Sequence, residues 1–293
     1  SHMRFGIYSN SNRDIEFAVA SKTALYLIDK GVVPVFPAEF CDTLLSSIKG
    51  AEFACFDDCD MIISIGGDGT LLSVVSKYRD LCIPFVGINK GSIGFLSEIS
   101  CDRLEASLDK LIARDYQLIE RCQLKADVFD KEGNCKASEI CFNDAVVTRG
   151  MTLHVVNLVF SIDNSIVEHF YGDGMIVSTP TGSTAYNLAA GGPILMNDIK
   201  NMIVTPLCSH TLNNSSYVTD AKRVIEITLM GEETDAVFSA DGRPAIPLKY
   251  MDKVIISMYN KPVKTIELGY SSFFSKVQKK IIARGSFYEN REE

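Results

Sequence analysis

The chain has 293 residues, 46% of them hydrophobic and 23% charged, which sustains a sizeable core, argues against extensive disorder and makes two domains the natural expectation. A formal charge of −8 disfavours a nucleic-acid backbone as partner, because neutralising phosphates takes a basic surface. The longest apolar runs, Met61 to Ile65 and Ile83 to Ile88, fall far short of the roughly 20 residues that cross a bilayer, so no membrane segment is expected.

Ser1-His2-Met3 reads as the remnant of a cleaved tag, and the residues after it lack the layout of a signal peptide, which gives a cytoplasmic expectation. Arg4 to Tyr8 reads as a strand and Ser9 to Asn12 as a polar turn. Ile15, Ala18, Val19, Leu25 and Ile28 then mark one face of a helix that Gly31 ends. Val32 to Phe36 is the next strand. Nine cysteines, with no CxxC pair among them, are expected to be reduced and mostly buried. Cys55 and Cys59 are not joined by a second Cys/His pair at ligand spacing, so no zinc site is expected. Met61 to Ile65 and Ile83 to Ile88 are continuous apolar runs, as central parallel strands should be, and each leads into a glycine-bearing loop. Asp102 with Glu105 forms a capping-box pattern ahead of Leu104, Leu108, Leu111 and Ile112.

After about Cys122 the texture changes to period-two alternation, with Leu124, Ala126 and Val128 facing one way and Lys125 and Asp127 the other. Turn signals recur at Glu132-Gly133-Asn134, Asp163-Asn164, Asp241-Gly242 and Asn260-Lys261. The expectation is an α/β domain over 1–121 and a mainly antiparallel β domain over 122–272. Helical periodicity returns from Phe273 to Arg284, where Phe274, Val277, Ile281 and Ile282 share a face, so 273–293 is expected to pack back on the first domain.

Gly66-Gly67-Asp68-Gly69-Thr70 lies between a buried strand and a helix, at the sheet edge where open α/β sheets bind ligands. Its glycines let backbone approach a ligand, and the amides at the helix start favour a phosphate. Asp68 amid those amides is positioned to orient an acceptor hydroxyl and take its proton during phosphoryl transfer; the plainer alternative is a helix cap. Neither the Walker pattern nor GxGxxG is present. Gly87-Ile88-Asn89-Lys90-Gly91-Ser92-Ile93-Gly94-Phe95-Leu96 closes the next strand, offering Asn89, and Phe95 either as a stacking surface for a base or as core. In the second domain, Asn143 and Asp144 stand side by side, suited to an adenine edge or a ribose diol. Gly172 to Tyr186 contains a hydroxyl-rich turn and a small-residue helix stopped by Gly191-Gly192-Pro193, with Tyr186 either stacking on ligand or core.

Together, Gly-Gly-Asp-Gly-Thr, Gly-Ile-Asn-x-Gly-x-x-Gly-Phe-Leu, Asn-Asp and Asp-Gly-x-x-x-Ser-Thr-Pro-Thr-Gly-Ser-Thr-Ala-Tyr resemble the motifs of the NAD kinase family in order and spacing over nearly the whole chain. The first motif alone is shared with lipid kinases and, in related form, with phosphofructokinases. The resemblance implies a Rossmann-like parallel α/β N-terminal domain, a β-sandwich C-terminal domain, and a homodimer or homotetramer. It implies transfer of the γ-phosphoryl of ATP to the 2′-hydroxyl of the adenosine ribose of NAD, with a divalent cation (Mg or Mn). Asp68 would be the catalytic carboxylate, with Gly66, Gly67, Gly69, Thr70, Asn89 and Phe95 around the substrates. Asn143 and Asp144 would hold adenosine and Asp173 the nicotinamide end. Thr181, Thr184, Ala185, Tyr186, Asn187 and Ala189 would hold the rest of the dinucleotide, and His154 would contact substrate. Two positions depart from the family pattern: Asp144 stands where many members have Glu, and Tyr171 where some bacterial members have Arg.

Overall fold

The structure, a computed structural model, describes residues 2–91, 94–232 and 235–289. It divides into two compact units, Ser1–Glu120 with Val263–Glu293, and Arg121–Pro262.

The first unit is built on a sheet whose strands are β1 (Arg4–Ser9), β2 (Val33–Phe36), β3 (Glu52–Phe53), β4 (Met61–Gly66), β5 (Phe85–Asn89), β6 (Ile99–Ser100) and β7 (Gln117–Arg121). Three helices accompany them: α1 (Ala18–Asp29), α2 (Asp68–Tyr78) and α3 (Leu104–Ile112). β4 is buried along its whole length and β5 almost so, the burial that continuous apolar runs anticipate. β1 pairs in parallel with β2 and β4, and β4 with β5, giving the order β3-β2-β1-β4-β5. That is the Rossmann order, whose direction of winding reverses between β1 and β4.

Three local expectations give way to the structure. The buried side of α1 is Val19, Ala20, Thr23, Ala24 and Leu27, while Ile15 and Leu25 are exposed. The helix starts only at Ala18, after left-handed residues at Glu16 and Phe17, and so does not include Ile15. The capping box is not formed, because Asp102 lies inside a 3-10 turn over Cys101–Arg103 and accepts a hydrogen bond from Ser100. Six of the nine cysteines are exposed; Cys59, Cys122 and Cys141 are buried, and burial pushes the Cys59 thiol up to about 12 and that of Cys122 to about 11.

The second unit contains β8 (Leu124–Phe129), β9 (Cys135–Cys141), β10 (Asp144–Arg149), β11 (Val156–Ile162), β12 (Ser165–Gly172), β13 (Gly174–Ser178), β14 (Asn201–Leu207), β15 (Tyr217–Asp220), β16 (Ile225–Leu229), β17 (Ala236–Ala240), β18 (Ile246–Leu248) and β19 (Lys253–Met258). They form two six-stranded sheets, β15-β14-β13-β10-β17-β18 and β12-β11-β16-β19-β8-β9, with antiparallel pairing throughout. One apolar core, including Leu124, Ala126, Val147, Phe160, Val204 and Phe238, draws on both sheets and makes them a sandwich. Between β13 and β14 lie a 3-10 turn, Thr181–Thr184, and the short helix α4 (Tyr186–Ala189).

The β-rich unit ends at Pro262, earlier than the expected 272. β20 (Val263–Glu267) pairs in parallel with β5 and so belongs to the first sheet. It leads into the last helix, α5 (Phe273–Glu289), on which Val277 is buried while Phe274, Ile281 and Ile282 remain exposed. No helix of the described residues is long and apolar enough to cross a membrane.

Candidate active site

In the first unit the site grows out of the carboxyl ends of β1 and β4, where the winding reverses. After β1, the Asn10 amide N–H donates to the Ile65 carbonyl (3.0 Å), tying the turn to β4. Asp14, fully buried, accepts from Ser9 Oγ (2.8 Å) and from the N–H groups of Val19 (2.8 Å) and Ala20 (3.0 Å), so it satisfies the otherwise orphaned start of α1. A cleft of about 670 Å³ opens beside these loops, lined among others by Asn10, Arg13, Phe40, Asp68, Thr70 and Ser73. Asn10 Nδ2 donates to Thr70 Oγ1 at 2.9 Å, linking its two walls. Composition marks Ser9 to Asn12 as a turn and nothing more; its position after a strand at the switch point is the signal that points to a site.

Asp68 opens α2, where the first helical N–H groups lack intrahelical partners and favour an anion. Its carboxylate accepts from Phe95 N (2.7 Å, to Oδ2) and, on Oδ1, from Leu96 N (3.2 Å), Ser97 N (3.3 Å) and Ser97 Oγ (3.4 Å). The approach requires glycine at 94, because a Cβ there would run into that carboxylate. Asp68 therefore does not cap α2, whose N-cap is Gly67 with no side-chain cap hydrogen bond: it is gripped by the loop after β5. Gly66 and Thr70 are buried, Gly67 is half-buried and Gly69 exposed. Asn89 turns back on its own loop, donating to the Gly91 carbonyl (3.4 Å). Phe95 is only 8% exposed, and Lys280 Nζ lies 4.3 Å from its ring centroid. Its ring is packed rather than open to a base. Ser92 and Ile93 of the same motif lie outside the described residues.

In the second unit the Asn143–Asp144 corner at the head of β10 is held from two sides. Thr179 donates its N–H to the Asn143 carbonyl (2.9 Å) and its hydroxyl to the Phe142 carbonyl (2.7 Å). Gly182 packs so closely that a Cβ would strike the Asn143 carbonyl. From the other side Asp241, which the sequence shows only as half of a turn, accepts from the N–H groups of Phe142 (2.7 Å), Asn143 (2.7 Å) and Asp144 (3.0 Å). Arg243 NH1 lies 3.6 Å from Asp241 Oδ2. Asp144 itself is 6% exposed, and burial, followed by the Asp241 charge, pushes its carboxyl up to about 7. Asn143 Oδ1 is buried with no hydrogen-bond donor among the described residues.

Tyr186, 45% exposed, lies near enough to Asp144, Cys208 and Asp173 for burial and then their charges to raise its phenol. Asp173 pairs with Arg149 Nε at 3.1 Å, a partner that no motif signalled. Asn143 and Asp144 are adjacent in the chain, and Tyr186 lies within electrostatic reach of Asp144 and Asp173. Other expected ligand residues are used internally: the Thr181 hydroxyl accepts from Arg121 NH1 (3.1 Å), and Thr184 Oγ1 donates to the Thr181 carbonyl (3.4 Å). Asn187 is fully buried, donating to the carbonyls of Ser183 (3.1 Å) and Pro193 (3.0 Å) and accepting from Thr205 (2.6 Å). Its side chain braces the turn. Ala185 is half-buried and Ala189 exposed. His154 is exposed in the loop between β10 and β11, not on a strand.

Residues 5–116 match the family model of the ATP-NAD kinase N-terminal domain, and residues 142–268 that of the ATP-NAD kinase C-terminal domain. The NAD kinase of Syntrophobacter fumaroxidans is 37% identical over 251 residues, covering 85% of this chain and 88% of that one. Among solved structures, yeast NADH kinase complexed with NADH aligns with a TM-score of 0.83 at 20% identity, over 95% of this chain and 86% of that one. An NAD kinase from Archaeoglobus fulgidus in complex with ATP aligns with a TM-score of 0.74 at 22% identity, over 94% and 99%. At those identities the structures speak for the fold, whereas the sequence matches speak for descent. With both halves of the chain matched and the four motifs in order, this chain belongs to the NAD kinase family, enzymes that phosphorylate NAD.

Proposed function

We propose that the chain transfers the γ-phosphoryl group of ATP to the 2′-hydroxyl of the adenosine ribose of NAD, giving NADP, with Asp68 as the catalytic carboxylate. The observation that carries this reading is the placement of Asp68: it heads α2, lines the cleft at the switch point and is held in a fixed orientation by three backbone N–H groups. Oδ2 accepts from one of these and keeps lone-pair capacity for a hydroxyl proton. As the ribose oxygen bonds to the γ-phosphorus, the bond from that phosphorus to the bridging oxygen breaks. ADP leaves with the electron pair and the hydroxyl proton passes to Asp68. A carboxylate is a weak base at neutral pH, so this transfer comes late in a loose transition state and orientation does most of the catalytic work.

The triphosphate would lie in the cleft, on the N–H groups at the start of α2, with the Arg13 guanidinium on the opposite loop. Asn143 Oδ1, with no donor among the described residues, suits the exocyclic amine of adenine, and Asp144 a ribose hydroxyl. ATP is the ligand of the Archaeoglobus relative and NADH that of the yeast one. A divalent cation, magnesium or manganese, belongs to this reading. Among the described residues no group of three or more His, Cys, Asp or Glu side chains could hold one, and the cation would arrive on the triphosphate oxygens. Assembly as a homodimer or homotetramer and a cytoplasmic location complete the proposal.

The test is NADP formation from NAD, ATP and magnesium, read by an NADP-specific dehydrogenase, with Asp68→Asn alongside. Turnover is expected to fall by roughly 10² to 10⁴ in the variant while NAD still binds. Near-normal turnover in Asp68→Asn would remove Asp68 from the chemistry.

A further inference from the structure

The segment that grips Asp68 is itself gripped from the other side by the C-terminal helix. Phe95, Leu96 and Ser97 supply the N–H groups on the Asp68 carboxylate, and Glu98 is the next residue. Glu98 is locked at three points: its N–H donates to the Gly87 carbonyl (3.1 Å), Oε1 accepts from Leu268 N (3.1 Å), and Oε2 pairs with Lys276 Nζ on α5 at 2.6 Å. That ion pair is secluded, with the lysine and glutamate side chains 11% and 3% exposed. One helical turn on, and so on the same face of α5, Lys280 Nζ sits over the Phe95 ring. Both ends of the four-residue segment are therefore fastened to α5, while its middle points amides at Asp68.

We infer that Lys276 and Glu98 are positioning residues for phosphoryl transfer: the C-terminal helix fixes segment 95–98, whose amides hold the Asp68 carboxylate in its working orientation. The inference rests on the reading of Asp68 as catalytic. Removing the lysine charge leaves Glu98 buried without its cation, a state that relaxes by letting the glutamate move toward water. The adjoining amides move with it, and a misplacement of about 1 Å at the reacting groups costs on the order of 10² in rate. A merely structural strut would behave differently, changing the melting temperature but not the turnover of the folded enzyme.

The experiment compares Lys276→Met, Lys276→Arg, Asp68→Asn and the Lys276→Met/Asp68→Asn pair in the full chain, measuring kcat, KM for NAD and ATP, NAD affinity by calorimetry and thermal stability. Lys276→Met is expected to lower kcat roughly 10- to 100-fold with NAD affinity within about twofold, and Lys276→Arg to restore most of it. The paired variant is expected to be no slower than Asp68→Asn alone, because the lysine acts through the aspartate. A folded Lys276→Met with kcat within about twofold of wild type, or losses that multiply in the pair, overturns the inference while leaving the role of Asp68 intact. Full activity of Asp68→Asn overturns both. Should Lys276→Met not fold, Lys280→Met, which leaves the ion pair in place, decides: a kcat lowered about threefold at unchanged NAD affinity supports the inference, and an unchanged kcat ends it.

Discussion

Asp68 in the first unit and Asp144 in the second both stand where a strand meets a loop, yet their surroundings are opposite. Asp68 is half-buried and receives three backbone N–H groups and a hydroxyl. Asp144 is more deeply buried, and the N–H groups of its own corner, Phe142 to Asp144, go to Asp241 instead. Burial first, and the charge of Asp241 after it, push the Asp144 carboxyl up to about 7. The fold gives backbone N–H groups to Asp68 itself in one unit, and to the neighbour of Asp144 in the other.

The sharpest way to break the Asp68 half of this contrast is Gly94→Ala. The added Cβ would occupy the space of the Asp68 carboxylate and push it off the amides. Turnover is expected to fall roughly 10²- to 10³-fold with NAD affinity retained, as measured by NADP formation and calorimetry. Unchanged turnover would mean that the grip of the loop on Asp68 is dispensable.

On the other side, Asp241→Ala removes the acceptor of three N–H groups. Leaving them unsatisfied is expected to cost roughly 2–4 kcal/mol by urea unfolding. Asp241→Asn, whose carbonyl oxygen can still serve the two donors on Oδ1 while its NH2 faces the Phe142 N–H, should cost less, and an equal loss in both would show that two retained acceptances do not hold the corner without the charge and the third. NAD affinity should weaken in step with the disorder of Asn143 and Asp144.

The parts of this contrast that sequence could reveal are the local ones. Continuous apolar runs mark β4 and β5, alternation at Leu124, Ala126 and Val128 marks β8, and Asp163-Asn164, both at positive φ, mark the β11–β12 hairpin. Asp68 is legible because its glycines and the helix they precede are adjacent in the chain. Its amide donors are not adjacent: they lie on the loop after the next strand, and only the parallel pairing of β4 with β5 brings them close. Asp241 is invisible as a site residue for the same reason, since it reaches Asn143 only through the pairing of β10 with β17. β20 joins the first sheet against expectation because a five-residue strand without clear alternation does not say which sheet it will join. Phe95 and Asn187 carry the right motif, but their side chains are spent on packing and internal hydrogen bonds that one-dimensional spacing does not encode.

Asp144→Asn tests the second half by pH. The carboxyl titrates at about 7 in the folded protein, above the ordinary aspartate value, so the folded state holds a proton that the unfolded chain releases. The stability this contributes is fully present below about pH 4 and is lost as pH rises through about 7. Asparagine mimics the protonated form at every pH. Wild type and variant should therefore unfold alike at about pH 4, and the variant should be more stable by on the order of 1–3 kcal/mol at about pH 8. In the Asp241→Asn background that gap should shrink, because the first cause, burial, remains while the opposing charge is gone. A gap that stays flat with pH would mean that Asp144 finds donors enough to remain a carboxylate, and the two acids would then differ in position but not in kind.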